Sequence, residues 1–166
     1  MAGPLPFEKK TKSNDRDMRE IRFRGWDIVG HKWVFGDLVH NMKPLVEEPF
    51  LAHRVMVGGY EVDPETVGQY TGLMDRKGVQ IYEGDILRLT IPDGSTRDFV
   101  VKFGKTERST KPLEGFAEEP SYPIVIVGWL FSWNGYDLVA SNTGGTPDWE
   151  KMEIIGNIYD SFKEDE

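Results

Sequence analysis

Val67 to Leu87, VGQYTGLMDRKGVQIYEGDIL, is the stretch that decides the fold. Its apolar pieces are only a few residues long and are separated by glycine and carboxylates, which leaves no room for a helical period. Val67–Thr71 and Val79–Tyr82 read as short strands, with Asp75-Arg76-Lys77-Gly78 as the turn between them. Asp favours the first position of such a turn and Gly the last. Gly84-Asp85 opens the next strand, in which Leu87, Leu89 and Ile91 share one face. Pro92-Asp93-Gly94-Ser95 is a turn, and the returning DFVVKFG places Phe99, Val101 and Phe103 on one face. The stretch contains neither histidine nor cysteine. Its carboxylates therefore belong either to a reaction centre or to the folding of a small β domain.

The same period extends outward. In REIRFRGW (19–26), Ile21 and Phe23 fall on one face and Arg22 and Arg24 on the other, so the arginines are expected to face solvent. HKWVFGDLV (31–39) is the expected hairpin partner, across a turn with Asp27 and Gly30. A loop with Pro44 and Pro49 follows, then a strand at Arg54–Val57 ended by Gly58-Gly59. Asp63-Pro64-Glu65-Thr66 has the N-cap, proline and acid that start a helix, and one helical turn is expected there. Residues 104–123 read as a long polar connection. IVIVGWLFSW (124–133), Asn134-Gly135 and YDLVA form a hairpin, because Asn-Gly supplies two positive φ angles. SNTGGTPDWE is a last loop and MEIIGNIYD a last strand or short helix. The expected class is mainly β, a small curved barrel or sandwich with SH3-like barrel character in its C-terminal part, an N-terminal β-hairpin subdomain and few short helical turns. Residues 1–17 are expected to be a flexible leader or tag-like extension, 18–62 the hairpin region, 63–160 the main β domain and 161–166 an acidic tail.

A chain of 166 residues without cysteine has no disulfide, no Cys-zinc site and no thiol catalysis. Its longest apolar run is far shorter than the 18 or so residues of a membrane helix, and no secretory signal is visible, so a cytoplasmic protein is expected. The net charge of −8 is uneven: residues 1–32 carry +3 and the remainder −11. An acidic body repels a phosphate backbone, although the basic leader remains a candidate contact arm.

The three histidines, His31, His40 and His53, lack metal-ligand spacing, and no phosphate-binding loop, dinucleotide fingerprint or nucleophile elbow is found. No catalytic residue, metal or cofactor is expected. Pro147-Asp148-Trp149-Glu150-Lys151 compresses the residue types of a nuclease into one loop with the wrong spacing. Asp75, Glu83 and Asp85 are the carboxylates a hydrolase would use, but each stands where a turn or tight strand start uses one. Arg22 and Arg24 interleave with Phe23 and Trp26 as in nucleic-acid surfaces. Trp129, Phe131 and Trp133 make a one-sided aromatic stripe, which is either core or a subunit interface.

Thr66 to Leu73, then Asp75, Gly78, Ile81 and Glu83-Gly84-Asp85-Ile86, closely resemble the core signature of the YopX family. MREIRFRGWD (18–27) resembles that family's start and IIGNIYD (154–160) its C-terminal signature. The resemblance implies a small, mainly β protein of bacteriophages and prophages with no established biochemical activity. No catalytic residue follows from it. It makes Gly68, Gln69, Tyr70, Thr71, Gly72, Asp75, Gly78, Glu83, Gly84 and Asp85 a fold signature, and candidate binding residues on that account. The expected function is a non-enzymatic protein-binding module, a homo-oligomer that also contacts a host or phage protein. The alternative is nucleic-acid binding through the basic strand. A DNA-mimicking decoy and an uncharacterised hydrolase are further alternatives.

Overall fold

A computed structural model describes residues 19–41, 54–109, 123–140 and 145–160. The expected leader (1–17), the Pro44/Pro49 loop, His53 and the acidic tail lie outside the described residues. So does 110–122, most of the expected polar connection.

Eleven strands and one 3-10 turn are described: β1 Phe23–Asp27, β2 Lys32–Gly36, β3 Leu38–Asn41, β4 Arg54–Val57, β5 Tyr60–Met74, β6 Gln80–Tyr82, β7 Asp85–Thr90, β8 Thr96–Ser109, β9 Pro123–Trp133, β10 Tyr136–Val139, the turn Asp148–Lys151 and β11 Glu153–Asn157. The fold is mainly β, as expected. One sheet runs β2-β1-β5-β4-β3, with β6 paired to β5, and curls into a half-barrel. The other runs β10-β9-β8-β7-β11, an antiparallel meander whose last strand returns beside its first. The division expected between residues 62 and 63 therefore falls inside β5, and the chain leaves the first sheet at Glu83-Gly84 instead.

Alternation fills two cores. Val34, Val55, Val57 and Val62 are buried together in the first sheet, with Phe23, Leu38 and Val67 against them. Ile81, Leu87, Phe99, Val101, Phe131 and Met152 form the second, larger core. Each such side chain contributes roughly 1.5–3 kcal/mol by leaving water.

Three expectations are corrected. Asp63–Thr66 is not a helical turn but part of β5, at a bulge: Trp26 pairs with Asp63 and Arg24 with Gly68. The local helix-start signals lose to pairing with β1, and Pro64 has no N–H to leave unmatched there. Thr66 Oγ1 donates to the Asp63 carbonyl and accepts the Trp26 N–H at 2.8 Å, which repairs the ladder. The polar connection starts later than expected, because β8 continues to Ser109 and pairs with β9 from Val100 onward. Arg24, expected to face solvent, is 7% exposed. Strand β1 lies between β2 and β5, and on the face expected to be wet Trp33, Tyr82, Asp85 and the Glu83 carbonyl close over the Arg24 guanidinium.

Candidate functional site

Arg24 sits where the two sheets meet. Its Nη1 lies 2.5 Å from Asp85 Oδ1, and its Nη2 donates to the Glu83 carbonyl at 3.0 Å. The guanidinium lies 4.7 Å from the Trp33 ring centre and 5.3 Å from that of Tyr82, a cation–π arrangement on two rings. Asp85 also accepts the Tyr82 N–H at 2.8 Å. Burial pushes the Asp85 carboxyl up from its ordinary value, opposed by the Arg24 charge and by the Tyr82 N–H. Gly84, at φ +84°, donates its N–H to the Val101 carbonyl and accepts the Ile158 N–H, each at 2.9 Å. Glu83-Gly84-Asp85 thus ties β1, β8 and the turn after β11 into one knot.

The rest of the signature builds the approach to that knot. Gly68 faces the Glu83 carbonyl so closely that a methyl group would stand 2.6 Å from its oxygen. The Gln69 carbonyl accepts the Glu83 N–H. Tyr70 is buried against Tyr82, ring centres 5.5 Å apart. Thr71 and Gly72, the latter at φ +85°, make a bulge in the pairing of β5 with β6, and Thr71 Oγ1 donates to the Ile81 carbonyl. Gly78 closes the turn at φ +78° by donating to the Asp75 carbonyl.

Asp75 does more than cap its own turn. One carboxylate oxygen accepts the Lys77 and Val79 N–H groups at 2.8 and 2.9 Å, and the other accepts the Ile154 N–H of β11 at 3.1 Å. Burial by itself would raise this carboxyl, but the three N–H donors hold it below its ordinary value of 3.8. A depressed folded pKa means stability that is present above 3.8 and lost as the pH falls through the folded value. Replacing Asp75 with alanine is expected to cost about 2 kcal/mol or more at neutral pH, with a smaller deficit by pH 3. Urea midpoints from pH 3 to 7 check this, and a deficit independent of pH would contradict it.

The other sequence candidates separate. Arg22 stays partly exposed, 3.7 Å from Glu20, whereas Arg24 is enclosed and has no surface to offer a phosphate. Phe131 is 1% exposed and belongs to the core, with Trp129 and Trp133 packed partly against it. Among the described residues, no group of three or more His, Asp or Glu is placed to hold a metal ion, and no helix is long and apolar enough to cross a membrane.

What sequence reading missed lies beyond the stripe. The final β7 pairing with β8 is at Val100, and β10 reaches β9 only from Leu130 onward. Lys102–Ser109 and Pro123–Trp129 therefore run on as a two-stranded ribbon. On it Phe103, Ile124, Val125 and Val127 are exposed, Val127 by 64%. The continuous apolar run of β9 was the available signal, but it does not tell a buried strand from an exposed one.

The signature knot and the two sheets fall within a stretch, residues 22–163, that matches the model of the family described as YopX protein. The chain belongs to the YopX family. Among solved structures it is similar to protein EF1440 from Enterococcus faecalis, at 20% identity over 85% of this chain and 94% of that one, with a TM-score of 0.41. No curated protein matches it. The YopX match takes in both arginines, the whole signature and the ribbon.

Proposed function

We propose that this YopX-family chain is a non-enzymatic accessory protein of a bacteriophage or prophage, working inside the bacterial cell by binding proteins, copies of itself included. The observation that carries this reading is the apolar ribbon of β8 and β9, which leaves large side chains in water beyond the body of its sheet. The carboxylates a reaction would need are engaged in holding the fold: Asp75 by three N–H groups, Asp85 by Arg24 and Tyr82. Nucleic-acid binding loses one of its two arginines to the interior.

The full chain should sediment above the monomer mass at micromolar concentration, or retain a discrete protein from nuclease-treated bacterial lysate. A monomer that retains no protein would overturn the reading. Material lost on nuclease treatment would favour nucleic acid, carried by Arg22 and the basic leader.

A further inference from the structure

We infer that the outer half of the β8–β9 ribbon, residues 105–109 with 123–127, is a hinged strap. It is folded back over its own sheet about the facing glycines Gly104 and Gly128, and it lifts when Arg108 lets go of Asp137. The fold-back follows from register. Arg108 stands opposite Ile124 of β9, whereas Asp137 of β10 stands opposite Ser132. Eight residues of straight strand would put those two rows about 26 Å apart, beyond the reach of an arginine side chain. Yet Arg108 Nη2 donates to the Asp137 carbonyl. The ribbon therefore doubles back between the two rows.

Halfway between those rows β9 has Gly128, and its partner on β8 is Gly104. Glycine inside a strand marks a tight bend, and here both strands carry one at the same row. A Cβ on Gly104 would press on Leu130 Cδ1 at 3.3 Å, while one on Gly128 would meet nothing within 4 Å. The crease thus has slack on its β9 side. Burial along the strands agrees. By alternation Leu130 points away from Phe131, and it belongs to neither core, yet it is 0% exposed. Its row lies between the crease and the row where Arg108 lands, so the folded-back half passes over it. Thr106 and Ile126, on that inner face, are partly buried, whereas Lys105, Glu107, Val125 and Val127, on the outer face, are exposed.

Asp137 is the catch. The Ser132 hydroxyl at 2.7 Å and the Lys102 ammonium at 2.9 Å hold its carboxyl below the ordinary value, and its carbonyl takes Arg108. Lys102 lies on the body side of the crease, so only the Arg108 contact has to break. Among the described residues that contact is the one hydrogen bond or ion pair from the strap to the rest of the sheet, and Arg108 is exposed. One exposed contact and the cover of one leucine are a slight hold, which lets the strap open while the sheet beneath stays folded. Lifting uncovers Leu130 and re-aims Val125 and Val127, so a partner meets a different surface in each position. The hinge itself does not depend on the chain binding protein.

The absence of cysteine makes a direct test available. Glu107→Cys/Tyr136→Cys in the full chain places spin labels at two exposed positions, one on the strap and one on β10. At low salt the two labels should show mainly a short separation. Arg108→Ala, or about 1 M salt, where the Debye length is about 3 Å, should move a large share of molecules to longer separations. That increase should be about 10 Å or more, given the rows that a straight ribbon would part. In parallel, Leu130→Cys should react with a maleimide at least about tenfold faster than Leu87→Cys, which is fully buried in the main core. Arg108→Ala should quicken the first reaction and leave the second unchanged. A short separation that neither Arg108→Ala nor salt shifts would overturn the strap. So would equal labelling rates, because Leu130 would then be reached only when the whole protein unfolds. A long separation from the start would mean that the ribbon is not folded back, and would overturn it too.

Discussion

Replacing Asp85 with alanine is expected to destabilise the protein by about 3–5 kcal/mol, the cost of leaving a buried charge without its counter-ion. The side chain is nearly inaccessible, 2% exposed, and the group it would strand is a guanidinium enclosed by two aromatic rings. The Arg24 Nε is already buried without a hydrogen-bond partner among the described residues, so the site has no spare acceptor to offer. Losing Asp85 also releases the Tyr82 N–H. Arg24→Met should cost less than Asp85→Ala, because methionine fills the space between the rings, and the Asp85 carboxyl it strands keeps the Tyr82 N–H and can take up a proton, whereas a guanidinium cannot shed its charge. The double variant should then be more stable than the sum of the singles implies, by about 1–3 kcal/mol. Urea denaturation of the four proteins measures this directly. A loss below about 1 kcal/mol for Asp85→Ala would mean that water reaches the guanidinium and that the pair does not hold the sheets together.

The knot around Arg24 also marks how far sequence carries. The turns were legible because their chemistry is local. Asn134 and Gly135 adopt φ +44° and +82°, the two positive angles their order demands. Asp75–Gly78 and Pro92–Ser95 are turns where their residues call for them, and the strands between follow period two. Arg24 was not legible. Alternation assigns a residue to one of two faces, but says nothing about whether both faces are covered, and at Arg24 the rings of Trp33 and Tyr82 and the Asp85 carboxylate cover the one expected to be wet. The end of β8 was hidden for the opposite reason. Lys105, Thr106, Glu107 and Arg108 belong to a ribbon lying largely in water, so no apolar period marks them as a strand. Asp63-Pro64 carried a genuine helix-start signal that a long-range partner overrode. Of the candidate site, the signature residues were identifiable by type, but their contacts were not. That Asp75 reaches Ile154, and Glu83 reaches Arg24, depends on residues 79 and 59 positions apart.

Gly68→Ala should be severe for a change that adds only a methyl group, at about 2–4 kcal/mol. The backbone itself does not require glycine there, since Gly68 is not among the residues with positive φ. The demand comes from across the gap: a Cβ would lie 2.6 Å from the Glu83 carbonyl oxygen, which is backbone and cannot rotate away. Glu83 cannot retreat cheaply either. Its N–H is bound to the Gln69 carbonyl, its carbonyl to Arg24, and Gly84 and Asp85 next to it are bound to β8 and to Arg24. Gly78→Ala supplies the contrast. That glycine has φ +78° but open space around it, so the substitution costs only the left-handed conformation, about 1 kcal/mol. Denaturation midpoints of the two variants rank the two demands a glycine can answer, close approach and backbone angle. Equal costs would mean that Glu83 yields by several tenths of an ångström. In that case Gly68→Ala should also weaken the coupling between Arg24 and Asp85 in the double-variant cycle, because the carbonyl that orients the guanidinium would have moved.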